Sequence, residues 1–400
     1  MQKFHCRACD SQDVELLMEL GPQPSAGGFL APGTDDLRNE VKHPLPIHAC
    51  RTCGLVQTFY VIPLDKLFSQ YYFASSTISS LIEHFRNHAS WLKESFNPGL
   101  VVEIGSNDGV LLEPLRAIGV VACGVDISEN MTKISRAKGL SVVNGFFDDD
   151  AVAEIVGKYG RADVLTGSNC FPHNDRPDII LKAARNLLKD DGHIVLEFMY
   201  AGEILKSLQW DSMYHEHLNY FCLHTIDTLL RRFGFHVVDA TLLPMHAGSM
   251  RITAAIDANE QPKPSVIKFL EDEQTQGLND IKVWREFSQR VKNRIEVVRK
   301  TLKSLSHEHS IWAYGASGRA SMWVNACAMD YLKAVVDSSP YRCGRLMPGT
   351  HTPIVYPEEL RRNPPDYIIV LAWNYFDHIR KKESWYRGHW ITPLPDFSIY

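Results

Sequence analysis

The chain has 400 residues, of which 45% are hydrophobic and 22% are charged, as in an ordinary globular protein. This length exceeds what one hydrophobic core usually serves and predicts two or three domains. A net charge of -5 argues against a general nucleic-acid-binding protein. No stretch has the roughly 18 uninterrupted apolar residues of a membrane helix. The first residues contain no apolar secretory segment, so we expect a cytoplasmic protein whose nine cysteines stay reduced.

Two Cys-x-x-Cys pairs lie in the N-terminal segment, residues 1–65. They comprise Cys6 and Cys9, then Cys50 and Cys53, with a Pro- and Gly-rich loop between the pairs. Four thiolates match the tetrahedral ligand set of a closed structural zinc site, which would stabilise a segment too short for its own core. A redox role and four unrelated thiols are the alternatives, but neither pair lies in a strand-to-helix redox context. The sequence therefore predicts a structural Zn²⁺ module.

A glycine turn follows an apolar run in residues 101–112. The run ends at Glu103-Ile104, and Gly105-Ser106-Asn107-Asp108-Gly109 leads into a second apolar segment. This pattern is typical of a buried parallel strand that turns into a helix, and both glycines would let the backbone turn and approach a ligand. Asp126 ends the next strand about 20 residues later, where a carboxylate can bind a ribose diol. The turn lacks the dinucleotide pattern Gly-x-Gly-x-x-Gly and resembles motif I of class I S-adenosylmethionine (SAM) methyltransferases; an ordinary strand–helix turn is the alternative.

Further strands and helices alternate through residues 66–258, which predicts a mostly parallel, doubly wound sheet. Ligands bind beyond the carboxyl ends of the strands in such sheets, where an adenine would meet Phe147 and Asp148, and where His173 also lies. The predicted cofactor-binding residues are Glu103, Gly105, Asn107, Gly109, Asp126, Ile127, Phe147, Asp148, Ser168 and Asn169.

Two histidines, an acid and a tyrosine are adjacent in Tyr214-His215-Glu216-His217. An acid–base site explains this composition better than a second metal site, because histidine titrates near neutral pH and a carboxylate can orient it. A buried polar cluster that holds a loop is the alternative. Tyr71 and Tyr72 lie in an aromatic stretch before the first central strand, and either could place a phenol over a substrate; an aromatic plug against the next domain is the alternative.

The last segment, residues 259–400, starts with a long amphipathic pattern over 262–306, which we interpret as an interdomain helix. A second glycine turn then follows a strand, and a second strand ends in an acid. This predicts a smaller Rossmann-like unit that binds a nucleotide-linked substrate, with arginines pairing with a diphosphate; pure packing of the turn is the alternative. The predicted substrate-binding residues are Tyr71, Tyr314, Gly315, Ser317, Arg319, Asp337, Arg342, Arg345, Trp373 and Asn374.

The four motifs in this order resemble the sugar-nucleotide C-methyltransferases that build branched deoxysugars, and the resemblance covers essentially the whole chain. It implies an α/β protein with an N-terminal zinc-binding module, a central class I SAM methyltransferase domain and a smaller Rossmann-like C-terminal domain. The implied cofactors are SAM and structural Zn²⁺. The implied partner is an NDP-4-keto-6-deoxysugar (dTDP or GDP), with no nucleic acid and no membrane, in a monomer or a homodimer.

The resemblance also assigns catalytic roles. His217 is the expected base that removes the C3 proton, and Glu216 is expected to orient it. Tyr214, His173 or Tyr72 would hydrogen-bond the enolate oxygen. A SAM-dependent O- or N-methyltransferase and a non-enzymatic protein that binds zinc and SAM are the alternatives.

Overall fold

The computed structural model of the chain describes residues 4–68, 71 and 74–400. Tyr72, one of the predicted catalytic residues, lies outside the described residues. The strands, in chain order, are β1 Val14–Pro24, β2 Lys42–Cys50, β3 Val56–Gln57, β4 Leu100–Ile104, β5 Val121–Asp126, β6 Val142–Asn144, β7 Ala162–Ser168, β8 Leu188–Met199, β9 Asn219–Tyr220, β10 His236–Leu243, β11 Ser249–Ala255, β12 Ile311–Tyr314, β13 Val335–Val336, β14 Ile354–Val355, β15 Tyr367–Val370, β16 His389–Thr392 and β17 Ser398–Ile399.

The helices connect and cover these strands. They are α1 Asp36–Asn39, α2 Leu64–Phe68, α3 Ser79–Phe96, α4 Leu112–Ala117, α5 Glu129–Ala137, α6 Asp149–Tyr159, α7 Pro177–Leu187, α8 Ala201–Lys206, α9 Leu223–Arg231, α10 Pro264–Gln276, α11 Ile281–Leu305, α12 Gly318–Ala326, α13 Pro357–Arg362 and α14 Phe376–Lys382. Single helical turns occur at Ser75–Thr77, Phe171–His173, Trp210–Ser212, Met245–Ala247 and Trp373–Tyr375. None of the described helices combines the length and the apolar character needed to cross a membrane.

The central sheet has seven strands in the order β10-β11-β8-β7-β4-β5-β6. Its strands from β8 to β6 run parallel, and β11 and β10 close the edge as an antiparallel pair. All five residues of β4 are buried, as expected for a parallel strand covered on both faces. This is the predicted doubly wound sheet. Its strand order reverses at β4, which places a crevice directly beyond the Gly105 turn.

The C-terminal sheet repeats this plan with six strands in the order β14-β13-β12-β15-β16-β17. Its first five strands are parallel, and β17 is antiparallel. The order reverses at β12, so the second glycine turn also lies at a switch point.

The N-terminal sheet is antiparallel, in the order β1-β2-β3-β9. Its last strand comes from far downstream, because β9 begins two residues after His217. The N-terminal sheet therefore contains residues from two of the predicted segments. The domain boundaries after residues 65 and 258 stay a prediction.

The amphipathic pattern over residues 262–306 forms two helices instead of one. Gly277 ends α10 with a left-handed φ of 70°, and the Asp280 carboxylate caps α11 by accepting the Lys282 N–H. In α11, the Ser288 hydroxyl donates to the Leu17 carbonyl at 2.9 Å, and Arg294 donates to the Pro393 carbonyl at 2.7 Å. Helix α11 therefore bridges the N-terminal sheet and the C-terminal unit.

Candidate functional site

The four N-terminal cysteines converge on one point. Their sulfur atoms all lie within 4.8 Å of one another, and the Cys6–Cys53 and Cys9–Cys50 sulfur pairs are each 3.6 Å apart. Sulfurs bound to one tetrahedral zinc ion at about 2.3 Å would be about 3.8 Å apart. The donor set and its spacing therefore fit Zn²⁺, with no position left open for a substrate.

One cavity of about 1070 Å³ lies beyond the carboxyl ends of β4, β5 and β7, and both glycine turns contribute to its wall. Most of the predicted site residues line it: Tyr71, Gly105, Asn107, Asp126, Ile127, Phe147, Asp148, Ser168, Asn169, His173, Tyr214, Glu216, His217, Tyr314, Gly315, Ser317, Arg319, Asp337, Arg342 and Asn374. The described wall does not include Glu103, Gly109, Arg345 or Trp373.

The Asp126 carboxylate holds the first glycine turn in place. One of its oxygens accepts the Asn107 N–H at 2.7 Å, and the other accepts the Ser128 N–H at 2.7 Å. Each oxygen keeps a lone pair for a ligand hydroxyl, which fits a ribose diol. Gly105 has a φ of 68°, and a Cβ there would lie 2.7 Å from the Cys170 Cβ, so only glycine fits this turn.

Two residues of the predicted SAM motif, Glu103 and Gly109, contact the protein interior and are not part of the described cavity wall. Glu103 is buried within β4, and burial raises its pKa well above the usual value. Gly109 has a φ of 83°, and a Cβ there would lie 2.3 Å from a methyl carbon of Leu140. Gly109 therefore provides the predicted backbone turn and packs against Leu140, but it is not part of the described cavity wall.

The His217 ring is fixed by a backbone carbonyl. Its Nδ1–H donates to the Ser212 carbonyl at 2.6 Å, which leaves Nε2 as the nitrogen with a free lone pair. Burial, with a smaller contribution from His173, lowers the pKa of His217 well below its usual value, so the ring is neutral at neutral pH. A neutral imidazole of fixed tautomer can accept a proton from a bound ligand.

Glu216 does not orient this histidine, which corrects our prediction. Its Oε1 accepts the Gly27 N–H at 2.9 Å, and burial raises its pKa to about 7. His217, which Glu216 was predicted to orient, instead donates its Nδ1–H to the Ser212 carbonyl. Glu216 contributes a carboxyl group of near-neutral pKa to the cavity wall.

Aromatic rings enclose His217. The Tyr214 ring centre lies 4.1 Å from that of His217, and the His173 ring stacks on His217 with a centre distance of 5.0 Å. Burial lowers the pKa of His173 to about 4 and raises that of Tyr214 well above its usual value. Both groups are therefore neutral near pH 7, and each keeps a proton to donate to a ligand oxygen. Tyr71 also lines the cavity.

The second glycine turn is built like the first. The Asp337 carboxylate accepts the Ala316 N–H and the Ser339 N–H, both at 2.8 Å. Arg342 donates to the Ala316 carbonyl at 2.8 Å and lies 3.4 Å from an Asp337 oxygen. The Ser317 hydroxyl caps α12 by accepting the Ala320 N–H at 3.3 Å. This wall combines a helix start with a cation, which suits a ligand with phosphate groups.

Three other predicted residues of this region have contacts within the protein. Arg319 lines the cavity, but its guanidinium donates to the Gln209 side chain at 3.0 Å and lies 4.0 Å from an oxygen of the buried Asp211. The Trp373 indole donates to the other Asp211 oxygen at 2.8 Å. Arg345 donates to the Tyr341 carbonyl at 3.1 Å. The side chains of Arg319 and Trp373 therefore both interact with the buried carboxylate of Asp211.

Sequence reasoning missed several wall residues. Gly27 and His246 lie in loops without a recognisable motif, and His84 and Glu197 lie inside a helix and a strand. Glu197 accepts hydrogen bonds from His84 at 2.8 Å and from Ser168 at 3.0 Å. Burial tends to raise the pKa of Glu197, but His88 and His84 together lower it to about 2. The only sequence feature that could have indicated Glu197 was the presence of a charged residue at the end of an apolar strand pattern.

Family models match three successive segments of the chain. A zinc binding domain matches residues 6–68, a methyltransferase domain matches residues 76–240, and a C-methyltransferase C-terminal domain matches residues 244–395.

Individual relatives were found among characterised sequences and solved structures. The chain is 32% identical to the C-methyltransferase NovU of Streptomyces niveus over 98% of this chain and 95% of that protein. It is 26% identical to the ubiquinone biosynthesis O-methyltransferase of Nitrosococcus oceani over 28% of this chain and 47% of that protein. Magnesium protoporphyrin IX methyltransferase from Synechocystis PCC 6803, solved with SAH, is 19% identical over 44% of this chain and 82% of its own, with a TM-score of 0.34.

The match to NovU runs through all three segments, and the C-terminal family model describes a domain of C-methyltransferases. Membership therefore favours carbon over the O- and N-methylation that we had kept as alternatives, and it favours an enzyme over a binding protein. The chain belongs to the SAM-dependent C-methyltransferases with an N-terminal zinc-binding module.

Proposed function

We propose that this C-methyltransferase methylates C3 of an NDP-4-keto-6-deoxysugar through an enolate, with His217 as the base. The observation that carries the proposal is the neutral imidazole of His217, whose Nε2 is left without a proton in a cavity that also contains the second glycine turn. A base and a phosphate-friendly turn in one cavity suit a substrate that joins an acidic C–H to a nucleotide. A sugar C–H becomes acidic enough only beside a ketone, which is why we propose a 4-keto sugar.

The proton transfer uses groups of this chain alone. The proton of C3 passes to Nε2 of His217, and the C–H electron pair delocalises onto the 4-keto oxygen as an enolate. Nδ1–H of the same ring stays bonded to the Ser212 carbonyl and stabilises the imidazolium that forms.

The enolate oxygen needs hydrogen-bond donors, because preorganised donors stabilise developing charge best in a water-excluded site. Tyr214 and His173 are suitable donors, since the ring of each lies against His217 and each is neutral near pH 7 and retains a proton to donate. SAM supplies an electrophilic methyl group when bound. C3 of the enolate forms the new carbon–carbon bond as the methyl–sulfur bond breaks, and S-adenosylhomocysteine leaves.

The nucleotide is proposed to bind at the second glycine turn. Arg342 and the start of α12 provide positive charge and N–H groups for the diphosphate. Such binding would fix the sugar beside His217, and positioning two reactants supplies a large part of a rate enhancement.

Mass spectrometry after incubation with SAM and a panel of dTDP- and GDP-linked 4-keto-6-deoxysugars tests this function. We expect one sugar to gain the mass of a CH₂ unit and to yield one S-adenosylhomocysteine per product. Without SAM, that sugar should exchange its C3 hydrogen with deuterated water. Methylation of an oxygen or nitrogen without C3 exchange would contradict the enolate mechanism.

Replacing Gly27 with alanine should lower activity through Glu216. The new Cβ would lie 2.9 Å from Oε1 of Glu216, so the carboxyl group has to move. We expect kcat/KM for the sugar to fall about 10- to 100-fold, as for other small displacements in active sites, while the affinity for SAM is unchanged. Steady-state kinetics and SAM calorimetry measure the two effects.

Gly157→Ala is the matched control, because Gly157 lies in α6 and an added Cβ there would meet no atom within 4 Å. It should keep wild-type kinetics. Equal kinetics of Gly27→Ala and Gly157→Ala would show that the position of Glu216 does not matter.

A further inference from the structure

The turn between β10 and β11 has an unusual backbone. His246 has φ 52° and ψ 31°, and the next two residues, Ala247 and Gly248, have φ 67° and 113°. Left-handed conformations are unfavourable for residues with a side chain, and two such residues in succession are rarer still. Strain of this kind persists only where the surroundings enforce it, and it is concentrated at functional sites.

Buried donors hold this turn from several directions. Arg319 donates to the His246 carbonyl at 3.1 Å, and the Gln209 side chain donates to the Ala247 carbonyl at 2.8 Å. The Tyr200 N–H donates to the Gly248 carbonyl at 3.1 Å. These three contacts come from the C-terminal unit and from the segments around α8. The backbone is therefore fixed, and the direction of the His246 side chain is fixed with it.

The imidazole of His246 lines the cavity and makes no hydrogen bond to any residue that the structure describes; only its backbone carbonyl is bonded, to Arg319. The His246 ring is largely surrounded by protein, and burial lowers its pKa to about 4, with a smaller contribution from Arg319. His246 also lies close enough to His217 to affect its titration. A neutral imidazole offers one donor and one acceptor, which is the pattern that a sugar hydroxyl or carbonyl oxygen can satisfy.

We propose that His246 contacts the substrate and hydrogen-bonds an oxygen substituent of the sugar ring next to the carbon that His217 deprotonates. The inference rests on the proposed function and extends it, since it explains why the chain keeps a histidine in a left-handed conformation. The Arg319 side chain then acts as a positioning group, because it holds the carbonyl of the same residue.

His246→Gly separates this role from a structural one. Glycine adopts the left-handed region without strain, so the melting temperature should stay equal or rise. The affinities for SAM, dTDP and GDP should be unchanged in calorimetry. We expect kcat/KM for the keto sugar to fall about tenfold or more, as for a lost hydrogen bond to substrate. Asparagine tolerates the same backbone conformation and places an amide near the position of Nδ1. If Nδ1 makes the contact, kcat/KM should therefore fall less in His246→Asn than in His246→Gly.

Ala247→Gly is the control, since it relieves the neighbouring strain and leaves the imidazole in place; it should keep wild-type kinetics. An active wild type with an equally active His246→Gly overturns the inference alone, as does a His246→Gly variant that loses SAM affinity or thermal stability. Binding of the keto sugars to protein loaded with S-adenosylhomocysteine is measured in parallel. If the wild type neither binds nor methylates any of them, both the proposed function and this inference are wrong.

Discussion

Replacing His217 with asparagine is expected to lower kcat by about 10³-fold and to leave the affinity for SAM unchanged. The asparagine amide can still donate to the Ser212 carbonyl, so the loop keeps its contact while Nε2 is lost. General-base catalysis contributes about 10²- to 10⁴-fold, and a buried C–H acid has no solvent molecule to replace the base. Single-turnover kinetics with the keto sugar, together with SAM calorimetry, measure the two quantities.

The neighbouring His215 provides the matched control. Its Nε2 contacts the Pro44 carbonyl at 3.2 Å, and it is not part of the described cavity wall. His215→Asn should therefore lower stability by about 1 kcal/mol and keep most of the activity. Solvent deuterium exchange at C3 adds a second readout, since His217→Asn should also lose this exchange. If His217→Asn methylates at a near-wild-type rate, His217 is not the base.

Local patterns in the sequence were sufficient for the two sheets that carry the glycine turns. A parallel strand that ends in a glycine turn needs a partner for its exposed N–H groups, and an acid at the tip of the next strand supplies one. Asp126 and Asp337 do so in the same way, each accepting the N–H of a turn residue. The spacing of about 20 residues predicted Asp126, and the acid that ends the second strand of the C-terminal unit predicted Asp337.

Contacts between distant segments were beyond local patterns. Gly27 and Glu216 are 189 residues apart in the chain, and neither belongs to a motif that specifies the other. The carbonyl that orients His217 belongs to the backbone of Ser212, and any residue type could supply it. Arg319 was predicted to bind phosphate from its place after a glycine turn, but the buried Asp211 is a nearer opposite charge. Such choices depend on packing between modules, which periodicity does not encode.

The most consequential of these contacts joins the cysteine cluster to His217, the proposed base. Strand β3, which begins three residues after Cys53, pairs with β9, which begins two residues after His217. The Thr58 N–H also donates to the Leu218 carbonyl at 3.0 Å, next to His217. The backbone N–H of Arg7, between Cys6 and Cys9, donates to the Gln57 side chain at 3.2 Å. The metal-binding knuckles therefore support the backbone on which His217 lies.

Removing zinc is accordingly expected to abolish methyl transfer as well as to unfold the N-terminal segment. Structural zinc sites contribute about 10–16 kcal/mol of apparent binding free energy at neutral pH, and a segment of this size has little other stabilisation. The Gly105 turn lies on a different sheet, so SAM binding should persist. A chelator, or Cys50→Ser, should make residues 4–68 sensitive to protease and reduce turnover to background, while calorimetry still detects SAM.

Cys123→Ala controls for the loss of a buried thiol, because Cys123 lies in β5 and is not one of the four clustered cysteines. It should retain zinc, protease resistance and most of its activity. Restoring zinc to the chelated protein should restore both readouts together, because one sheet carries the metal site and the strand that follows His217. Protease resistance that is unchanged after complete zinc loss would contradict a structural metal. If residues 4–68 unfold and the protein keeps full activity, the position of His217 does not depend on the pairing of β3 with β9.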